Sequence, residues 1–272
     1  MQDIKSPERP RIAIGFFGIT RSLKWTLPSI QKNIIKPAQE LGATRLFAHL
    51  YLQDHIDNPR TGERQSLDPN DYHLLQCDEV ELEKPGNCLN EANYDWVLSH
   101  GDAFFDQGKS LSNLIHQLHS LQQVGKMIDE WKPDVVILAR PDLTYHDNLH
   151  DEIKKYIRQP KDYISIPNWQ WFGGVNDRFA IGGRESCLAY TKRFNLIRTY
   201  LEKTGGPLPA ERFLRYSLNH YGIIAKPMRV RASRIRSNGE SAIENFSPIS
   251  IGKYLKRTIE SRIYNLTKKF RT

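Results

Sequence analysis

The chain has 272 residues, 39% hydrophobic and 10% aromatic, enough to build a sizeable core and too apolar for intrinsic disorder. Its three widely spaced cysteines, Cys77, Cys88 and Cys187, match neither a disulfide framework nor a structural zinc cluster, so a reduced, cytoplasmic setting is expected. The formal charge of +8 sits at one end: residues 229–272 hold 11 Lys/Arg against 3 Asp/Glu, leaving 28 of each before them, which argues against a nucleic-acid partner and for an anionic membrane surface.

In chain order, Ile12–Phe17 reads as a first buried strand, followed by the loop GITRS and a helix over Leu23–Leu41. Leu46–Leu52 is a second strand. Residues 53–95 are polar and rich in turn formers, with a short strand at Val80–Leu82, and so long a connection points to a functional or mobile segment. Apolar residues from Leu111 to Ile128 recur at helical spacing, and Lys132-Pro133 stops that helix before the run VVIL at 135–138, the pattern of a strand buried on both faces. A helix over Asp151–Arg158, a strand over Tyr163–Pro167 and helices over Ser186–Lys203 and Ala210–His220 follow. Alternating strands and helices predict an α/β fold with a mainly parallel sheet. No apolar run is long enough to cross a bilayer. The division expected is a domain over 1–228, a linker over 229–249 and a basic amphipathic helix over 250–272, whose stripe of Ile251, Leu255, Ile259, Ile263, Leu266 and Phe270 either docks on its own domain or lies on a membrane.

Ligands bind such sheets beyond the carboxyl ends of the strands, which directs attention to Gly18, Arg21 and Ser22 after the first strand, His49 in the second, and Arg140 and Asp142 after the third. In GFFGITRS the turn amides and the helix dipole form an anion site to which Arg21 adds a planar donor fork, the alternative being a tight turn with a solvated arginine. Asp142 is a candidate ligand for a divalent cation, Mn²⁺ or Mg²⁺, bridging a diphosphate, with His146 and Asp147 as helpers; Arg140 cannot bind metal and would neutralise phosphate directly. A local ion pair between Arg140 and Asp142 is the alternative. In NWQWFGGVNDRF, Asp177 could act as a base or orient a hydroxyl, Asn176 could bind the acceptor, and Trp169 and Trp171 could stack on a sugar ring. Two glycine pairs suggest backbone approach to a ligand. Glu211 is placed to cap a helix.

Together the segments IAIGFFGITRS, RLFAHLY, IHQLHSLQQVGKMI, PDVVILARPDL, NDRFAIGGRE and PAERFLRYSLNHYGI resemble a group of bacterial glycosyltransferase-like proteins with the GT-A fold, over residues 11–226. The resemblance implies a nucleotide-diphosphate sugar donor near Gly18, Arg21 and His49, with Asp142 where the acidic metal motif of such enzymes ends. Arg140 stands where that motif has its first aspartate, which separates this chain from the metal-dependent pattern. The implied activity is sugar transfer to a polysaccharide or lipid-linked glycan, peripherally on the inner membrane face. Two other readings stay open: a sulfotransferase using a 3′-phosphoadenosine sulfate donor, suggested by the GxxRS-like loop, and an inactive glycan-binding scaffold.

Overall fold

The computed structural model describes residues 9–58, 62–158 and 162–269, with side chains up to residue 263. Strand β1 (Arg11–Gly18) leads into helix α1 (Leu23–Ile30), which continues through a π-helical turn at Gln31–Ile35 into α2 (Lys36–Leu41) and returns in β2 (Ala43–Tyr51). The long connection predicted after β2 is structured: a hairpin of β3 (His55–Asn58) and β4 (Glu63–Ser66), strand β5 (Glu79–Glu83), and short helices α3 (Asn87–Glu91) and α4 (Tyr94–Ser99). Helix α5 (Lys109–Trp131) precedes β6 (Val135–Ala139). Then come β7 (Leu143–Tyr145), α6 (His150–Arg158), β8 (Tyr163–Pro167), β9 (Ala180–Gly183), α7 (Arg184–Thr191), α8 (Ile197–Thr204), α9 (Ala210–His220), β10 (Ile224–Met228), β11 (Ala232–Arg234) and α10 (Ile251–Lys269). The single helix expected over Ser186–Lys203 is broken by a 3₁₀ turn at Lys192–Leu196.

Seven strands form one sheet in the order β10-β8-β9-β6-β1-β2-β5. β1 runs parallel to β2 and β6, β2 to β5 and β8 to β10, while β9 is antiparallel to both its neighbours. This is the expected α/β architecture, a mainly parallel sheet flanked by helices and followed by a C-terminal helix. Both faces are covered, and alternate residues of a strand point opposite ways. Ile12, Ile14, Phe16 and Ile137 pack with Leu23, Ile34 and Ile153 on one face. Ala13, Phe17, Val136 and Leu138 pack with Leu121, Val124, Ile128, Tyr190 and Leu214 on the other. Such two-sided burial is why β1 and β6 read as unbroken apolar runs.

Residues 229–249 are not the expected linker. Val230, Ala232 and Ile235 are buried, and β11 pairs antiparallel with β7, so this stretch closes one wall of the domain. Helix α10 rests on the body through Tyr254, whose ring meets Trp171 edge-on, and Arg257, which donates to the Gly174 carbonyl at 2.6 Å; Arg215 pairs with Glu260. The stripe turns outward: Ile251 is 78% exposed and Leu255, Ile259 and Ile263 are each more than half exposed. The Leu266 side chain and Phe270 lie outside the described residues. No helix among the described residues is long and apolar enough to cross a membrane.

Candidate functional site

A cleft of about 1300 Å³ opens beyond the carboxyl ends of β1, β2 and β6. Its inner wall begins where β1 ends at Gly18, whose φ of +107° only glycine adopts readily and whose N–H is held by Ser120 Oγ at 2.9 Å. Gly18, Arg21, Arg140, Asp142 and Asp177 all line this cleft. Tertiary structure adds Arg178, Glu211, Arg212 and Arg234 to the same wall, and Phe104, Phe105 and Phe172 at its rim.

Arg140 binds Asp142 through both oxygens, Nε to Oδ1 at 2.8 Å and Nη2 to Oδ2 at 2.7 Å, and reaches Gln117 Oε1 with Nη1 at 2.6 Å. Arg21 donates to Asp142 Oδ2 at 2.8 Å and to Glu63 Oε2 at 3.2 Å. The hairpin within the long connection therefore exists, at least in part, to bring Glu63 behind Arg21. Arg178 makes a similar two-toothed pair with Glu244, at 2.7 and 3.1 Å. Glu63 and Glu244 stand behind the guanidiniums, which face the cleft. With Arg212 the arginines of this wall number five, set among the carboxylates of Glu63, Asp142, Glu244, Asp177 and Glu211. The Nε of Arg234, like that of Arg21, has no hydrogen-bond partner among the described residues. Burial, with Arg178 and Arg140 nearby, lowers the Arg234 pKa to about 10.

Asp142 does not fit a divalent cation. It is 2% exposed, and both of its oxygens already accept from guanidiniums that would repel a metal ion. Burial alone would raise its pKa, but Arg140 and Arg21 outweigh that and hold it well below the usual carboxylate range. The expected metal and catalytic roles are replaced by anchorage of two arginines. Its expected helpers are occupied elsewhere, Asp147 by Arg231 and His146 by Ser233. Among the described residues, the group with metal-ligand spacing is His49, Glu83 and His119, none of which lines the cleft.

Across from the arginines, Asp177 accepts from Gln117 Nε2 at 3.2 Å. Glu211 lies at the start of α9, where α9 is drawn in so closely that a Cβ on Gly174 would fall 1.9 Å from the Glu211 carbonyl oxygen. The glycine serves backbone against backbone here, not approach to a ligand. Glu211 lies in the first turn of α9, where its carboxylate accepts from its own backbone amide; burial and then the charge of Asp177 push its pKa up to about 7. A carboxylate that can hold or release a proton near neutrality is suited to general-base work.

Five expected contacts are corrected by burial. Trp169 is 0% exposed, with its indole N–H on the Val230 carbonyl and Phe246 against its ring, so it offers no face to a sugar. Trp171 is buried likewise, bonded to the Pro167 carbonyl. Asn176 braces its own loop, donating to the Trp169 carbonyl and accepting from the Arg178 amide. Ser22 and His49 are both fully buried and do not reach the cleft. The flat faces that do are Phe105, 94% exposed, with Phe104 and Phe172. The loop carrying the first two is tied by Asp102, which accepts from the amides of Phe104, Asp106 and Gly108.

No protein-family model matches the chain, and neither does any curated protein. Among solved structures, the apo form of mouse xyloside xylosyltransferase 1 is 10% identical, with a TM-score of 0.41 covering 80% of this chain and 84% of its own. A Bacillus anthracis protein assigned as a glucose-1-phosphate thymidylyltransferase, solved with sucrose, is also 10% identical at a TM-score of 0.41, covering 93% and 95%. Likeness at that level bears on neither activity nor site residues.

Proposed function

We propose that the protein is a glycosyltransferase that moves a sugar from a nucleotide-diphosphate donor to a hydroxyl of a glycan or lipid-linked acceptor, neutralising the diphosphate with arginines. The observation that carries this reading is the convergence of Arg21, Arg140, Arg178 and Arg234 on one cleft wall beside Asp177 and Glu211. As the bond from the anomeric carbon to the phosphate oxygen breaks, its electron pair stays on the diphosphate, and preorganised guanidiniums stabilise that developing charge. The acceptor oxygen attacks the anomeric carbon and its proton passes to Glu211, which Asp177 keeps basic enough to take it. Phe104, Phe105 and Phe172 supply stacking faces for base or sugar. The outward apolar stripe of α10, with its flanking lysines and arginines, supports peripheral attachment to an anionic membrane.

Melting temperatures with UDP, GDP, CMP or 3′-phosphoadenosine 5′-phosphate, each with EDTA present, test the reading. Stabilisation by a nucleoside diphosphate or by CMP without metal is the expected result. Stabilisation by 3′-phosphoadenosine 5′-phosphate alone would make the protein a sulfotransferase instead, and no response to any of them would leave a scaffold.

A further inference from the structure

Shut off from the cleft, the His49 imidazole lies among polar side chains of β2, β5 and α5. Its Nδ1 is 3.1 Å from Ser120 Oγ. That hydroxyl gives its single proton to the His49 carbonyl oxygen at 2.6 Å and accepts the Gly18 amide at 2.9 Å. A hydroxyl whose one proton is committed can only accept further bonds, so the imidazole proton is on Nδ1. Nε2 therefore presents a lone pair, and what it faces, 3.4 Å away, is the carboxylate oxygen Oε2 of Glu83. Nε2 has no hydrogen-bond partner among the described residues.

A buried imidazole lone pair held against a half-buried carboxylate oxygen is unfavourable unless a cation stands between them. The Nδ1 of His119 lies 3.5 Å from the same Glu83 oxygen and 2.7 Å from the Tyr51 hydroxyl, which yields its place to a bound ion; the three ligand atoms of this group fall within 4.8 Å of one another. Bonds of about 2.0–2.1 Å to a tetrahedral ion place its ligand atoms roughly 3.3–3.4 Å apart, close to the two spacings found.

We propose that His49, Glu83 and His119 form a binding site for a transition-metal dication, with two imidazoles and one carboxylate matching zinc and a fourth position left open. Metal on His119 Nδ1 leaves that ring's proton on Nε2, which faces the Glu91 carboxylate 3.8 Å away and the Gln123 side-chain amide at 2.8 Å, whose oxygen exchanges its bond from Lys126 for one from the imidazole. A carboxylate or carbonyl on the outer nitrogen is the usual support of a metal-bound histidine. The bound ion joins edge strand β5 to β2 and α5, and through Ser120 it fixes the Gly18 amide at the cleft mouth. The site is independent of the proposed sugar transfer and of Asp142.

The full-length chain, stripped with a chelator and dialysed, is titrated with ZnCl₂ by calorimetry, then loaded with Co²⁺ for visible spectroscopy. Uptake of one equivalent, the intense bands of four-coordinate cobalt, and a melting temperature raised roughly 5–10 °C at free Zn²⁺ about 100 times Kd are expected. Glu83→Gln and His119→Asn, checked for native circular dichroism, should each weaken binding at least tenfold. Absence of saturable one-equivalent binding, a six-coordinate cobalt spectrum, or unchanged affinity in both folded variants would overturn the proposal.

Discussion

Replacing Asp142 with Asn tests whether this carboxylate anchors arginines or holds a metal. Its Oδ1 accepts from Arg140 and its Oδ2 from both Arg140 and Arg21, all at 2.7–2.8 Å, in a position 2% exposed. An asparagine keeps the shape, loses the charge and turns an NH₂ donor toward a guanidinium donor. Arg140 is then left with Gln117, whereas Arg21 retains Glu63. Breaking a buried pair in this way costs about 3–5 kcal/mol, which for a chain of this size lowers the melting temperature by roughly 6–20 °C. Because the folded pKa of Asp142 is depressed, its contribution is complete above the unfolded value of about 3.9 and is lost only as pH falls through the lower folded value. The deficit of the variant should therefore be constant from about pH 5 to pH 8. A nucleoside diphosphate restores the missing anion, so UDP should raise the melting temperature more in D142N than in the parent. Scanning fluorimetry with UDP, Mn²⁺ or EDTA reads all of this. A variant that melts within about 2 °C of the parent and loses an Mn²⁺-dependent stabilisation would refute the anchoring argument and return Asp142 to metal binding.

Glu211→Gln should lower kcat about 10²–10⁴-fold and abolish a rate limb that rises through pH of about 7 in the parent. The raised pKa of Glu211 has an opposite sign for stability: its contribution is full below the unfolded pKa of about 4.3 and is lost as pH rises through about 7, so the variant should gain on the parent across that window. An unshifted pH profile would remove Glu211 from proton transfer. Arg234→Gln takes away a desolvated cation with an unpartnered Nε, so the unliganded protein should melt no lower while nucleotide affinity falls about tenfold or more; a lower melting temperature with undiminished affinity would contradict the assignment. Deleting residues 250–272 should release the protein from anionic liposomes, and retained binding in flotation would show that α10 is not the attachment.

How much was legible in the sequence varies with how local the determinant is. Strands β1, β6 and β8, and helices α5, α6 and α9, could be read because two-sided burial and helical spacing are written in consecutive residues. The outward turn of Ile251, Leu255 and Ile259 could not, since one amphipathic pattern suits docking on a domain or on a bilayer, and the side that packs is chosen by Tyr254 and Arg257 meeting Trp171. Trp169 and Trp171 mislead for a related reason: indoles rich in stacking potential are more often used as core, and their loop folds inward to bond Val230 and Pro167.

From the chain alone came the place of the site: strand ends carrying Gly18, Arg21, Arg140 and Asp142, because alternation of strand and helix dictates where a parallel sheet opens. Only the tertiary structure decided what those residues do there. Glu63, Arg178, Arg234 and Glu244 lie far from them in sequence, and charge, burial and proton affinity depend on distances through space, not along the backbone. With those partners in place, Asp142 is an anchor, Arg234 is a desolvated cation, and Glu211, beside Asp177, becomes the group that titrates near neutrality.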